Sequence, residues 1–100
     1  MNKKITILAL VKAKEGMEEA LRQELLSLVA PTRSEPGCIN YNLHQASGET
    51  TQFMFYENWK SMEDLEKHRG MPHMKAIRQK IGDLLAKPME VTLFEMISEA

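Results

Sequence analysis

Three histidines, His44, His68 and His73, are the residues of this 100-residue chain best suited to proton transfer. An imidazole pKa lies near neutrality, so a histidine can act as a general base at physiological pH. His44 falls on a predicted strand, and a rigid sheet holds catalytic geometry better than a loop. We therefore predict that His44 is the base and opens on a cavity between sheet and helices, close to Trp59. His68 and His73 flank the turn at Gly70 and are predicted to affect ligand binding more than chemistry.

Each histidine also has a structural interpretation. Asn40, Asn42 and His44 share one face of a strand, and this polar strip equally fits a wet sheet edge or a seam between subunits. His68 lies near a helix C-terminus, where an imidazolium is favourable to the helix dipole. His73 lies at a helix start, where the dipole keeps the imidazole neutral, and a capping or packing role is equally consistent.

The strand and helix that follow supply further candidates. Trp59 could line a cavity and offer its indole N–H, or simply close the hydrophobic core. Glu57 shares a strand face with Trp59 and must be paired or share a proton if it is buried. Tyr56 points to the opposite face. Methionines such as Met62 suit a malleable pocket for flat ligands, although methionine also fills core gaps. The predicted substrate-binding residues are Asn40, Asn42, Tyr56, Glu57, Met62 and Leu65.

Hydrophobic periodicity predicts an α+β domain in the order β-α-β-β-α(α)-β. This is the split βαβ or ferredoxin-like pattern, an antiparallel sheet with helices on one face. Ser61 is predicted to cap one helix and Pro72 to begin the next. The predicted strands are 5–11, 38–46, 51–59 and 89–97, and the predicted helices run from Gly16 to about Thr32, from Ser61 to His68, and from Pro72 through an apolar series to Leu85.

The first helix is predicted to end at Pro31 and at the cluster Glu35-Pro36-Gly37, which contains two helix breakers. In the second strand, Ile39, Tyr41 and Leu43 are predicted to share one face. The apolar stripe of the first helix consists of Met17, Ala20, Leu21, Leu25, Leu28 and Val29.

The first, third and last strands are mostly apolar on both faces, yet the helices can cover only one face of the sheet. A second copy of the sheet is the economical cover for the other face. We therefore predict an obligate homodimer, which also suits the limited core of a short chain.

Composition narrows the class of protein. Hydrophobic residues make up 43% and charged residues 27% of the chain, which is typical of one ordinary domain, here residues 1–100. The net charge of −1 gives no basic field for nucleic acid or anionic lipid. Neither a signal peptide nor a membrane span is predicted, and the lone Cys38 fits a cytoplasmic location. No metal site is predicted, because Gly70 and Pro72 prevent one helix from presenting His68 and His73.

An ordered series of motifs resembles the antibiotic biosynthesis monooxygenase domain, and within that family the quinol-monooxygenase-like small proteins. The series covers most of the chain and implies a dimeric α+β barrel of ferredoxin-like subunits. Where activity is known, the resemblance implies oxygenation of hydroquinones or aromatic polyketide-like phenols by O₂ without a cofactor. It is carried by GCINYNLH at 37–44, FMFYENWKS at 53–61, Leu65, His68 and MPHMKA at 71–76.

Relatives in the same superfamily degrade haem or isomerise a small phosphorylated sugar. Haem-degrading members use an asparagine on the first strand, which reads ITILALV here. Anthrone-type oxygenases place an asparagine four residues before their tryptophan and a tyrosine six residues after it. Only Trp59 carries over, because Phe55 and Leu65 occupy those offsets. An isomerase and a non-catalytic dimeric ligand-binding or stress module remain alternatives to the oxygenase.

Overall fold

A computed structural model describes residues 4–99, and within them the chain forms one sheet and a set of short helices. The elements follow the predicted order, with the two predicted helices after the third strand both present. Their bounds are β1 (Ile5–Lys12), α1 (Glu18–Leu26), α2 (Val29–Arg33), β2 (Cys38–Ala46), β3 (Glu49–Trp59), α3 (Met62–Arg69), α4 (Pro72–Lys80), a 3₁₀ turn (Gly82–Leu84) and β4 (Glu90–Phe94).

The sheet has the strand order β2-β3-β1-β4, and every neighbouring pair is antiparallel. The register places Ile7 opposite Glu57 and Ala9 opposite Phe55. The two central strands are thus β3 and β1, as the ferredoxin-like prediction requires. The predicted α+β fold class is confirmed.

One face of the sheet packs against the helices and holds the hydrophobic core. Alternate residues of β1 and β3 point into this core, so the alternation of side chains predicted for these strands is confirmed. The fully buried large side chains include Ile7, Val11, Leu21, Leu25, Tyr41, Phe53, Phe55 and Trp59.

The first predicted helix is two helices, and Pro31 explains the division. α1 ends at Leu26, and α2 begins at Val29 and contains Pro31 as its third residue. A proline has no N–H for the carbonyl four residues earlier and its ring collides with that carbonyl, which here belongs to Ser27. Pro31 therefore breaks the helix one turn upstream instead of ending it. The predicted apolar stripe is also shorter, because Met17 is exposed.

The pairing of β2 with β3 contains an irregularity that changes the predicted face of Ile39. Cys38 lies opposite Trp59 and Asn40 lies opposite Asn58, which leaves Ile39 as an extra residue. Such a bulge turns one side chain out of the alternation. Ile39 is exposed while Tyr41 is buried, so the prediction that they share one face was wrong.

The predicted turn chemistry around α3 and α4 is confirmed. The Ser61 hydroxyl accepts a hydrogen bond from the Asp64 N–H at 3.1 Å, and Pro72 is the first residue of α4. Gly37 packs so tightly that a Cβ there would collide with the Asp64 side chain. The last elements are shorter than predicted: α4 ends at Lys80 and β4 at Phe94.

The other face of the sheet is open in this chain and carries large apolar side chains. Tyr56 and Phe94 are two of these, with exposed fractions of 42% and 47%. Within residues 4–99, no helix combines the length and apolar character needed to cross a membrane.

Candidate active site

A cavity of about 440 Å³ lies between the core face of the sheet and the helices α3 and α4. Its volume is typical of small-molecule sites. The walls are mainly aliphatic and aromatic, with contributions from all four strands. Its charged or titratable lining residues are Tyr41, Glu57, His68, Arg69 and Arg78.

His68 is the histidine that opens on this cavity. It lies in the last turn of α3, and its side chain is buried. Its ring packs against the Trp59 indole at 4.5 Å between centroids and against the Tyr41 ring at 5.6 Å. The His68 Nδ1 atom lies 2.9 Å from a carboxylate oxygen of Glu35, which fixes the orientation of the imidazole.

Glu35 is a site residue that the sequence did not reveal. It lies in the turn after α2, where its N–H donates to the Thr32 carbonyl at 3.0 Å and its own carbonyl accepts from the Cys38 N–H at 3.0 Å. The same carboxylate oxygen, Oε2, is 2.9 Å from His68 Nδ1 and 2.8 Å from His73 Nε2. Glu35 therefore ties the two histidines together from a third segment.

The geometry also defines which nitrogen of His68 is basic. Because Nδ1 donates to Glu35, the proton of the neutral ring is on Nδ1 and Nε2 carries a lone pair. Nε2 has no hydrogen bond among the described residues. No buried side-chain nitrogen or oxygen in residues 4–99 lacks a partner, so Nε2 must be reached from the cavity. Burial lowers the pKa of His68, and the hydrogen bond to Glu35 acts in the opposite direction. His68 is therefore a neutral base at physiological pH.

Glu57 is a second titratable group on the cavity wall. It is 5% exposed, and the Trp59 indole N–H donates to its Oε1 at 2.9 Å. The prediction that a buried Glu57 must be paired is therefore confirmed. Burial raises the pKa of Glu57 to about 7, while the Trp59 N–H and the charge of Arg69 act in the opposite direction. Its carboxyl is thus partly protonated near neutral pH.

Tyr41 and Arg69 complete the polar part of the cavity. Burial raises the pKa of the Tyr41 phenol far above its usual range, so this hydroxyl stays protonated. Arg69 follows His68 on α3, and its positive charge lowers the pKa of both His68 and Glu57. The Arg78 guanidinium donates to the Arg69 carbonyl at 2.9 Å, which holds α4 against the end of α3.

Two histidines and a carboxylate, His68, His73 and Glu35, have donor atoms within 4.8 Å of one another, a spacing compatible with a metal ion. The distances from Glu35 to the two histidines are those of ordinary hydrogen bonds. Thr32 Oγ1 also lies 3.2 Å from His73 Nε2. Hydrogen bonding accounts for the arrangement of these three side chains.

Some of the predicted site residues meet at this cavity. Glu57, Leu65 and His68 line it directly. Trp59 is fully buried behind His68 and Glu57 and contacts both. His73 does not line the cavity, and it contacts the site through Glu35.

The remaining predicted site residues lie elsewhere. His44 pairs with Met54 on the open side of the sheet and is exposed, so the prediction that it opens on the cavity was wrong. Asn40 accepts a hydrogen bond from the Asn58 amide at 2.8 Å, and Asn42 accepts one from Arg33 at 3.0 Å. Tyr56 and Met62 are also exposed, and they do not line the cavity.

Comparison with known proteins identifies the family of this chain. The family model described as antibiotic biosynthesis monooxygenase matches residues 4–80. The chain belongs to this family. The relative named "Putative monooxygenase Rv0793", from Mycobacterium tuberculosis, is 32% identical over 100 residues, covering 100% of this chain and 98% of the relative.

Two further comparisons agree. "Putative monooxygenase YcnE" from Bacillus subtilis is 30% identical over 92 residues, covering 92% of this chain and 97% of the relative. The crystal structure of PA3566 from Pseudomonas aeruginosa is 32% identical and superposes with a TM-score of 0.93 over 98% of both chains. Sequence and structure therefore place this chain among monooxygenase-like proteins.

Proposed function

We propose that this protein is a cofactor-independent monooxygenase that oxidises a hydroquinone or a related aromatic polyketide-like phenol with O₂. The observation that carries the proposal is His68: a neutral, oriented histidine with one free nitrogen in a mainly apolar cavity. Oxygenation without a metal or flavin requires the substrate to supply the electrons. A phenol does so only after a base removes its proton.

His68 is the base in this proposal. Its Nε2 accepts the phenolic proton, and the Glu35 carboxylate stabilises the imidazolium that forms. The charge of Arg69, close to His68, offsets the developing phenolate. The apolar walls exclude water, which strengthens these electrostatic contacts and protects reactive intermediates.

The chemical balance can be written for 1,4-dihydroxynaphthalene as a probe. The hydroquinone and one O₂ give 2-hydroxy-1,4-naphthoquinone and one water. One oxygen atom enters the ring, and the other leaves as water. The four electrons that reduce O₂ all come from the substrate, so no further reductant is needed.

The test is oxygen uptake with this probe, in protein verified by elemental analysis and absorbance to be free of metal and flavin. We expect uptake above the uncatalysed rate, and one labelled oxygen atom in the hydroxyquinone when isotopic O₂ is supplied. A product labelled only from water, or no uptake above background with several hydroquinones, would contradict the proposed function.

A second candidate is an isomerase of a small phosphorylated metabolite, and the cations Arg69 and Arg78 on the cavity wall favour it. Guanidinium groups bind phosphate in a bidentate manner. Inorganic phosphate distinguishes the two candidates. If the protein is the isomerase, phosphate should protect it against thermal unfolding, and Arg78→Gln should lose this protection. If it is the oxygenase, a planar naphthol should protect it instead.

The open sheet face supports a homodimer as the working form of the protein. Apolar side chains on this face remain uncovered by the helices, which occupy the opposite face. A stable sheet-to-sheet interface should bury at least roughly 2,000 Å² in total. Light scattering at low micromolar concentration is expected to give about twice the chain mass. A monomer under those conditions would leave this apolar face unexplained. The residues concerned include Leu8, Leu10, Met54, Tyr56 and Phe94.

A further inference from the structure

Two titratable side chains, His68 and Glu57, flank the same indole of Trp59 and share one pattern. Each has one polar atom held by a hydrogen bond and a second polar atom that is free. In His68 the held atom is Nδ1, bound to Glu35, and in Glu57 it is Oε1, bound to the Trp59 N–H. The base role proposed for His68 leaves Glu57 without a function in the chemistry.

The free atom of Glu57 is Oε2, and the structure indicates where it points. It has no hydrogen-bond partner among residues 4–99. Since no buried side-chain oxygen in that part of the chain lacks a partner, Oε2 is accessible from the cavity that Glu57 lines. Glu57 thus presents one carboxyl oxygen to a bound ligand while Trp59 holds the other.

Monooxygenation needs an acid as well as a base. O₂ adds to the ring carbon of the phenolate, and the peroxide anion takes the phenolic proton back from the His68 imidazolium, which leaves His68 neutral. The resulting hydroperoxide must then break its O–O bond. The leaving group is hydroxide, which is a poor leaving group unless it receives a proton as the bond breaks. Without that proton, the intermediate can instead release hydrogen peroxide and leave an unhydroxylated quinone.

We propose that Glu57 is the general acid of this site and protonates the distal oxygen of the substrate hydroperoxide through Oε2. This inference rests on the proposed function and adds a residue and a step to it. Glu57 and His68 then divide the proton transfers between them, with the base anchored on Glu35 and the acid anchored on Trp59.

The step balances without a further reactant. The O–O bond breaks, and its electron pair leaves with the distal oxygen, which takes the proton of Glu57 and departs as water. The ring C–H bond gives its electron pair to the new C=O bond and its proton to His68. The imidazolium of His68 then returns a proton to the Glu57 carboxylate, so the site regains its starting state.

The groups around Glu57 keep its carboxyl available as a proton donor. The charge of Arg69 favours ionisation of Glu57, whereas burial and the charge of Glu35 oppose it more strongly. Cys38 and Tyr41 are also close enough to interact with Glu57, and burial raises the pKa of both, so they remain neutral. His68, which also lines the cavity, is neutral because burial lowers its pKa.

The test is the Glu57→Gln variant with 1,4-dihydroxynaphthalene. The glutamine carbonyl can still accept from the Trp59 N–H, so the variant removes the acidic proton and keeps the anchor. We expect the ratio of hydroxyquinone to hydrogen peroxide to fall about tenfold or more, while O₂ is still consumed. Glu63→Gln, an exposed neutralisation on α3, is the matched control and should leave the ratio unchanged.

The wild-type protein gives a second, independent measurement. Its ratio of hydroxyquinone to peroxide should decrease as the pH rises through about 7, where Glu57 loses its proton. This result does not require the variant to fold. An unchanged ratio in folded Glu57→Gln, or a pH-independent ratio in the wild type, would overturn the assignment of Glu57 while leaving the oxygenase intact. A wild type that consumes no O₂ above background would overturn both.

Discussion

The two faces of the sheet carry similar residue types in very different surroundings. On the helix face, His68 and Glu57 are buried beside aromatic rings, each held by one hydrogen bond. On the open face, His44 and Tyr56 are exposed. Burial raises the pKa of Glu57 and lowers that of His68, so it disfavours the ionised form of both groups. Residue type alone therefore does not separate a reactive group from a surface group.

Two neighbouring residues of β3 lie in opposite environments. Phe55 is 2% exposed and stacks on Tyr41 at 4.7 Å, whereas the next residue, Tyr56, points the other way. Because strand side chains alternate, a shift of one residue in the register would exchange the two environments completely. The packing of the core face therefore fixes which titratable groups reach the cavity.

The largest effect is expected from aromatic truncation on the two faces. Phe55→Ala should lower the free energy of unfolding by about 3–5 kcal/mol, because it leaves a cavity in the core. Phe94→Ala removes the same ring from the open face and should act chiefly through association of two chains. Urea unfolding at protein concentrations tenfold apart separates these effects. Equal losses with the same concentration dependence would show that the faces do not differ in this way.

A pH-dependent effect on stability is expected from Glu57. Its pKa is raised from 4.5 to about 7 on folding. The group therefore contributes stability that is fully present below pH 4.5 and is lost as the pH rises to about 7. The loss corresponds to roughly 2–4 kcal/mol. Urea unfolding between pH 4.5 and 8 is expected to show that the wild type becomes less stable relative to Glu57→Gln as the pH rises, because the glutamine does not titrate. A constant difference would contradict the raised pKa.

A smaller effect on rate is expected from Glu35→Gln. Glu35 does not touch the cavity and positions His68, and its charge raises the pKa of that histidine. The variant should reduce kcat by about tenfold and move the limb of the pH–rate profile that reports His68 to lower pH. A purely structural role would change stability without moving this limb. Glu63→Gln, the exposed neutralisation on α3, controls for the removal of one negative charge.

Much of the fold could be predicted from local patterns. Alternation located the strands, and Ser61 and Pro72 located the starts of α3 and α4, because these signals act within one turn of the chain. The break before Pro31 and the bulge at Ile39 were missed. Each depends on a backbone conflict or a pairing register that the pattern of apolar residues does not show.

The candidate site was only partly predictable. His68 and Trp59 were named from the sequence, and Glu57 was expected to need a partner. Glu35 was missed because a lone acid between Ser34 and Pro36 gives no local signal for a contact with a histidine 33 residues away. The misplacement of His44 had a detectable cause: Tyr41 and Leu43 mark the apolar face of β2, so the helices had to cover the face opposite His44.

The most direct test compares the two histidines of the two faces. We expect His68→Ala to lower kcat for 1,4-dihydroxynaphthalene by about 10²-fold or more, as for the loss of a general base. His44→Ala should leave kcat within about twofold, and both variants should keep the oligomeric state of the wild type. Steady-state O₂ uptake gives kcat and KM for all three proteins. A large loss of kcat in His44→Ala, with His68→Ala unaffected, would contradict the assignment of the cavity as the active site.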